Sequence, residues 1–272
     1  MLEGQRLSCI GAGNMAEAII AGLIQGGRVT PPNLIMSDIR PDRLHALKRT
    51  YGILVAENNS EAAAGSDIVL LAVEPQVLDG VLGEIAPSFQ EDALVLSVAA
   101  GYPIARIGRH LPQTRRIVRT MPNTPSAIRE GITALAYSPG ISEEDVRTAK
   151  GIFESIGKVV EVEEQVLDGV TAVSGSGPAY VYVMIEALAD GGVKMGLPRE
   201  TAELLAAQTL IGAARMVLES GEKPGTLKDR VASPSGTTIE GLYELERGCF
   251  RGTIMAAVES ATKRSTELGL LP

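Results

Sequence analysis

The chain predicts an α/β protein in two parts, a doubly wound and mostly parallel sheet over residues 1–162 followed by an all-α half over residues 163–272. Three observations predict it. Up to Val162 short apolar runs alternate with helix-patterned segments, and several runs are apolar throughout, as strands covered on both faces must be. Beyond Glu163 only helical periodicity recurs. A length of 272 residues suits two domains better than one core.

The strands are expected at Leu7–Ile10, Leu34–Ser37, Ile53–Ala56, Ile68–Val73, Leu94–Val98, Ile117–Met121, Ile132–Tyr137 and Val159–Val162. Between them, spacings such as Met15, Ile19 and Leu23 mark helices packed on the sheet. Ser142 before Glu143-Glu144-Asp145 has the form of a helix N-cap, with carboxylates at the positive end of the dipole, and that helix should run to Ile156. Further helices are expected at Ala179–Lys194, Arg199–Ser220, Thr237–Glu246 and Gly252–Leu268. Turns at Gly191-Gly192, Gly196-Leu197-Pro198, Ser220-Gly221 and Lys223-Pro224-Gly225 should separate them. Several of these helices are apolar on more than one face, so at least a dimer is expected.

With 45% apolar and 21% charged residues the composition is that of a folded globule. No apolar run approaches the ~20 residues of a membrane span, and the start lacks an export pattern, so no membrane partner is expected. A formal charge of −8 argues against a nucleic-acid partner, which would require a basic face. Cys9 and Cys249 read as buried, reduced thiols, fitting the cytoplasm. His45 and His110 have no partner at ligand spacing, so no metal site and no histidine-based triad is expected. The chemistry must then come from a cofactor, and hydride transfer is the natural kind.

Gly11-Ala12-Gly13-Asn14-Met15-Ala16 follows the first strand and opens a helix, which is the setting of a dinucleotide fingerprint. Gly11 permits the tight turn, Gly13 the approach of a pyrophosphate, and Ala16 close packing of helix on strand, so this half is expected to be a Rossmann-type domain. Asp38 ends the second strand, where a carboxylate accepts ribose hydroxyls and favours NAD. Ser37, Arg40 and Arg43 beside it would equally hold a 2′-phosphate, or simply start a solvated helix, which leaves the choice between NADP(H) and NAD(H) open. Ala72-Val73-Glu74-Pro75 and Ala99-Ala100-Gly101 lie at carboxyl ends of strands, the ligand edge of such a sheet. Asn59 and Ser60 would reach adenine or ribose, or cap a helix from Glu61. Met121-Pro122-Asn123-Thr124-Pro125 is rigid and polar, suited to wall a nicotinamide.

In the helical half, the stretch Ser174-Gly175-Ser176-Gly177-Pro178 and the loop Ser233-Pro234-Ser235-Gly236-Thr237-Thr238 both lead into helices. Amides and hydroxyls at a helix start favour an anion, here a small carboxylate, and simple capping is the plainer alternative for each.

GAGNMA at Gly11–Ala16, VRTMPNTP at Val118–Pro125, AVSGSGPAYVY at Ala172–Tyr182, ALADGGVKMGLPR at Ala187–Arg199 and SPSGTTIEGL at Ser233–Leu242 together resemble pyrroline-5-carboxylate reductases. The resemblance covers Leu7 to about Leu268 and implies reduction of a cyclic imine to L-proline. It implies cofactor contacts at Gly11–Ala16, Ser37, Asn59, Ala72–Pro75 and Ala99–Gly101, and a substrate carboxylate on Ser233–Thr237. Thr238 would stand near the imine nitrogen as the catalytic hydroxyl, with Glu164 and Arg230 at the substrate pocket. It also implies interlocked dimers that can build rings of five dimers. The family commonly has Lys at Glu74, a departure that weakens any assumption of NADPH preference, and Gly at Ser235, where the added side chain beside the carboxylate loop is expected to alter affinity. Two other readings remain. A β-hydroxy-acid dehydrogenase would need a lysine base, for which Lys194 is the candidate, and a non-catalytic dinucleotide sensor would not need the second anion loop.

Overall fold

The structure is a computed structural model and describes residues 2 and 4–270. In chain order the elements are β1 (Leu7–Ile10), α1 (Asn14–Gln25), β2 (Leu34–Ser37), α2 (Pro41–Tyr51), β3 (Leu54–Val55), α3 (Asn59–Ala63), β4 (Ile68–Leu71), α4 (Pro75–Ile85), β5 (Leu94–Ser97), α5 (Ile104–His110), β6 (Ile117–Met121), β7 (Gly131–Tyr137), α6 (Glu143–Glu154) and β8 (Gly157–Glu161). There follow α7 (Leu167–Val170), α8 (Gly177–Lys194), α9 (Arg199–Ser220), α10 (Pro224–Val231), α11 (Thr237–Arg247) and α12 (Phe250–Leu270).

The strands form one eight-stranded sheet in the order β3-β2-β1-β4-β5-β6-β7-β8. All neighbours are parallel except β6 and β7, which are joined by only a short 3₁₀ stretch, Thr124–Ile128. That connection is too short for the crossover a parallel pair requires, so the chain turns back antiparallel. The continuous apolar runs are explained by alternation. Ile68, Leu70, Leu94 and Leu96 enter one core and Val69, Leu71 and Val95 the core on the other face. Helices cover both faces, and the strand order reverses between β1 and β4, the switch point where such sheets bind ligands.

The chain divides into two compact units, one of residues 1–176 with 259–272 and one of residues 177–258. The expected boundary after Val162 thus falls inside the first unit, because the helical turns from Glu164 to Gly175 pack with the sheet strands, Leu167 joining Ala134 and Ala136. In the second unit α8 and α9 meet through Ala189, Ala202 and Ala206. At Gly192 a Cβ would lie 3.1 Å from that of Ala202, a close approach that glycine permits. Large apolar side chains remain exposed on this unit, among them Val183, Met195, Leu204 and Met216.

Further expectations are corrected, among them the turn at Gly191-Gly192, which lies within α8. Lys223-Pro224-Gly225 is not only a turn but the start of α10, with Pro224 in the first helical turn, where its missing N–H costs nothing. The last helix starts at Phe250, after Cys249 takes a left-handed φ of 53°. Helix α6 stops at Glu154, although Ser142 caps it as expected by accepting from the Asp145 amide. Cys249 is exposed rather than buried, and both cysteines are free.

Candidate functional site

The switch point is built by glycine. Gly11 has φ 99° and its amide donates to Ser37 O at 2.8 Å. A Cβ there would stand 2.4 Å from the Ala72 carbonyl oxygen, so only glycine lets the loops after β1 and β4 come this close. Gly13 precedes α1 and faces open space, with no atom within 4 Å of where its Cβ would be. No side chain among the described residues caps α1, so its first amides are available to an anion. Ala12 and Ala16 are fully buried beneath this loop.

A groove of ≈ 600 Å³ opens here. The sequence-predicted Gly11, Gly13, Asn14, Asp38, Arg40, Asn59, Ala72, Val73 and Glu74 line it. Val77 and Val81 of α4 and the 95% exposed Ile39 also line it and were missed, since lone apolar residues carry no motif. Ser37 and Asn59 sit together: Ser37 Oγ donates to Asn59 Oδ1 at 2.8 Å, and Asn59 Nδ2 donates to Glu84 at 2.7 Å. The cap of α3 is Asn58, whose side chain accepts from the Glu61 amide, which leaves Asn59 at the groove.

Asp38 is the most constrained group in the groove. Its carboxylate accepts from the Ala12 amide at 2.6 Å, from the Arg40 amide at 2.9 Å, and from Arg40 Nε and Nη2 at 2.9 and 3.1 Å. Burial opposes its ionisation, but the hydrogen bonds from Arg40 and the two amides outweigh that, and its pKa lies below the ordinary carboxylate value. Arg43 is turned away, donating to Ala12 O at 2.9 Å and pairing with Glu17. Cys9 lies beneath, its thiol pKa pushed up by burial and then by Asp38, so it is an unreactive core thiol.

Ala99, Ala100, Gly101 and Asn123 do not line this groove. Gly101, at φ 72°, is pressed by the end of α12: a Cβ would lie 2.9 Å from Ser265 O, and one on Gly269 would lie 2.2 Å from Gly101 O. The close approach expected of a ligand at Gly101 is taken by the chain itself. Asn123 is committed internally, donating to Ser174 O at 3.1 Å and accepting from the Ile132 amide at 3.0 Å. It pins the loop rather than presenting a free amide.

Glu164 is likewise engaged, accepting from the Ile104 amide at 2.7 Å at the start of α5 and from Arg119 at 3.4 Å. Arg119, 6% exposed, also reaches Asp168 at 3.3 Å. Asp168 in turn accepts from Ser265 and Thr266 at 2.8 and 2.9 Å. Sequence reading missed this network because its members share no motif. Ser174 Oγ returns to Val170 O at 3.0 Å, and the Ser176 amide to Thr171 O, so both serines lie in helical turns. His110 is not isolated: with Arg106 and Tyr102 it surrounds Asp79, its Nε2 2.8 Å from Oδ1. No group of His, Cys, Asp and Glu among the described residues is arranged to hold a metal ion.

In the second unit, the loop from Ser233 turns tightly into α11. Gly236 N donates to Ser233 O at 3.1 Å, and a Cβ on Gly236 would meet Ser233 Oγ at 2.3 Å. Ser235 holds φ 56°, a left-handed conformation that glycine would adopt without strain. Thr237 and Thr238 begin α11, and no side chain among the described residues caps it. Arg230 pairs with Glu222 at 2.5 Å and is 62% exposed.

Residues 164–268 match the family described as pyrroline-5-carboxylate reductase dimerisation, and residues 6–101 match NADP oxidoreductase coenzyme F420-dependent. The chain is 47% identical to a Synechocystis pyrroline-5-carboxylate reductase, over 97% of this chain and 98% of the relative. Among solved structures, a Coxiella burnetii pyrroline-5-carboxylate reductase matches at TM-score 0.89 and 36% identity, covering 97% and 98% of the two chains. The Plasmodium falciparum pyrroline carboxylate reductase with NADP bound matches at TM-score 0.88 and 34% identity, covering 98% and 99%.

Proposed function

Since the chain belongs to the pyrroline-5-carboxylate reductase family, we propose that it reduces Δ1-pyrroline-5-carboxylate to L-proline with NAD(P)H, the last step of proline biosynthesis. The observation that carries this is an identity of 47% across 97% of the chain, a span that includes both the groove and the Ser233–Thr238 loop.

The groove fits a dinucleotide. Gly11 and Gly13 leave backbone accessible at the switch point, α1 offers uncapped amides, and Asp38 and Asn59 stand where an adenosine ribose binds. A bound reduced nicotinamide would supply the hydride. The protein's share is to orient and to exclude water. Amides and hydroxyls from Ser233 to Thr237 hold the substrate carboxylate at the start of α11, each charge-assisted bond contributing about 1.5–3 kcal/mol net. Thr238 places its hydroxyl on the imine nitrogen and holds it in the orientation for attack at the adjacent carbon. A protonated imine is already electrophilic, so positioning is the main demand. Glu164 and Arg230, both paired within the chain, are assigned positioning roles, as are Asn123, Ser174, Ser176 and the Ala99–Gly101 loop.

Self-association through the second unit accounts for its exposed Val183, Leu204 and Met216. The unit is a homodimer module, and dimers assemble further into a ring of five. We place the reaction in the cytoplasm, in keeping with two free cysteines. No described helix is long and apolar enough to cross a membrane.

The decisive experiment follows the oxidation of NADPH and NADH with and without pyrroline-5-carboxylate and identifies the product. Substrate-dependent oxidation yielding proline is expected; cofactor binding with no proline formed would overturn the reading. Sedimentation of the same preparation should show dimers or larger species.

A further inference from the structure

Taking the groove to hold NAD(P)H, as above, we propose that Asp38 makes this enzyme select NADH over NADPH by excluding a 2′-phosphate from the adenosine end.

Asp38 cannot swing away from an incoming phosphate. Four hydrogen bonds hold it, two of them from backbone amides, and its side chain is only 8% exposed. A carboxylate only accepts hydrogen bonds. It therefore suits the ribose diol, which can donate two, and opposes a phosphate, which brings only acceptors and negative charge.

The cations able to compensate are already engaged. Arg40 is bound to Asp38 itself through Nε and Nη2, and recruiting it to a phosphate would leave the buried carboxylate without its guanidinium. Arg43 is held by Glu17 and the Ala12 carbonyl. The groove lining carries two carboxylates, Asp38 and Glu74, against the single guanidinium of Arg40. The hydroxyl of Ser37 is spent on Asn59, and the amide of Asn59 on Glu84, which places another carboxylate directly behind. The carboxylates at this end thus favour hydroxyl donors over a phosphate.

The test is equilibrium titration of the purified protein with NADH and with NADPH, without substrate, followed by nucleotide fluorescence. NADPH should bind about tenfold more weakly or worse, a penalty typical of two like charges meeting in a partly desolvated site. The near-isosteric Asp38→Asn keeps an acceptor for the Ala12 amide and should bring the two affinities within about threefold. Equal or tighter binding of NADPH by the unmodified protein would overturn the proposal and needs no variant, and so would a gap that persists in Asp38→Asn. Binding of neither nucleotide would overturn both this inference and the cofactor reading. The expected ratio without proline formation would overturn the proline reading alone.

Discussion

Asp168 accepts a hydrogen bond from Ser265 at 2.8 Å, across 97 residues of chain. The contact closes the first unit, because Asp168 also receives Thr266 and the buried Arg119. Asp168→Ala leaves Arg119 with Glu164 alone, at 3.4 Å. We expect a loss of about 1–3 kcal/mol, the range for stranding a buried donor. Urea unfolding at fixed protein concentration should show a lower midpoint with unchanged slope. An unmoved midpoint would mean that Arg119 is satisfied without Asp168.

The two glycines of the first loop should fail in different ways. Gly11→Ala combines a left-handed φ of 99° with a clash on Ala72 O, so it should lose both stability and nucleotide affinity, the latter by about tenfold or more. Gly13→Ala meets nothing within 4 Å, so its melting temperature should match the parent. Its methyl group nonetheless stands where a pyrophosphate must approach, and titration should show clearly weaker NAD(P)H binding. Full affinity in Gly13→Ala would move the pyrophosphate elsewhere.

Acid should act through Asp79. Hydrogen bonds from Arg106 and then Tyr102 hold its carboxyl below the ordinary range, against the effect of burial, with His110 adding to them. The folded pKa is depressed, so the contribution is complete above the unfolded value of about 3.9 and is lost as pH falls below it. Asp79 is about one-third exposed, which weakens the effect through solvent screening. Stability measured from pH 7 downward should fall less steeply below about pH 4 in Asp79→Asn than in the parent. Parallel curves would remove Asp79 from the acid response.

Thr238→Ala should lower kcat by about tenfold or more while leaving the KM for the nucleotide nearly unchanged, as loss of a group that orients only the substrate would. Steady-state kinetics with each substrate varied would settle it. Unchanged kcat would take Thr238 out of the reaction.

The sheet was legible because its signals are local. The apolar run from Ile68 and the glycine turn at Gly11 announce themselves within a few residues, and each became the element expected, the strand ending at Leu71 rather than Val73. The groove followed from the same logic: loops at the ends of β1, β2 and β4 converge by topology, which brought Gly13, Asp38 and Val73 together. Pairings between distant segments could not be read this way. Nothing near Glu164 in the sequence announces Ile104 or Arg119, and nothing near His110 announces Asp79. The short α10 was hidden because Pro224-Gly225 has the composition of a turn, and only a proline at the helix start reconciles the two. Asp38 lines the groove, but whether Arg40 would serve a phosphate or the carboxylate depended on which atom its guanidinium reaches.

The first unit is discontinuous, residues 177–258 intervening before 259 onward rejoin it at Asp168 and Gly101. During synthesis the ribosome must therefore translate the whole intervening segment before Ser265 and Thr266, two of the partners of Asp168, exist. Until then Arg119 has only Glu164 and Asp168 to pair with, and the hydrogen bonds from Ser265 and Thr266 to Asp168 can form only after both have left the exit tunnel. Completion of the nucleotide-binding unit thereby depends on a helix whose first turns, residues 250–258, belong to the other half of the protein.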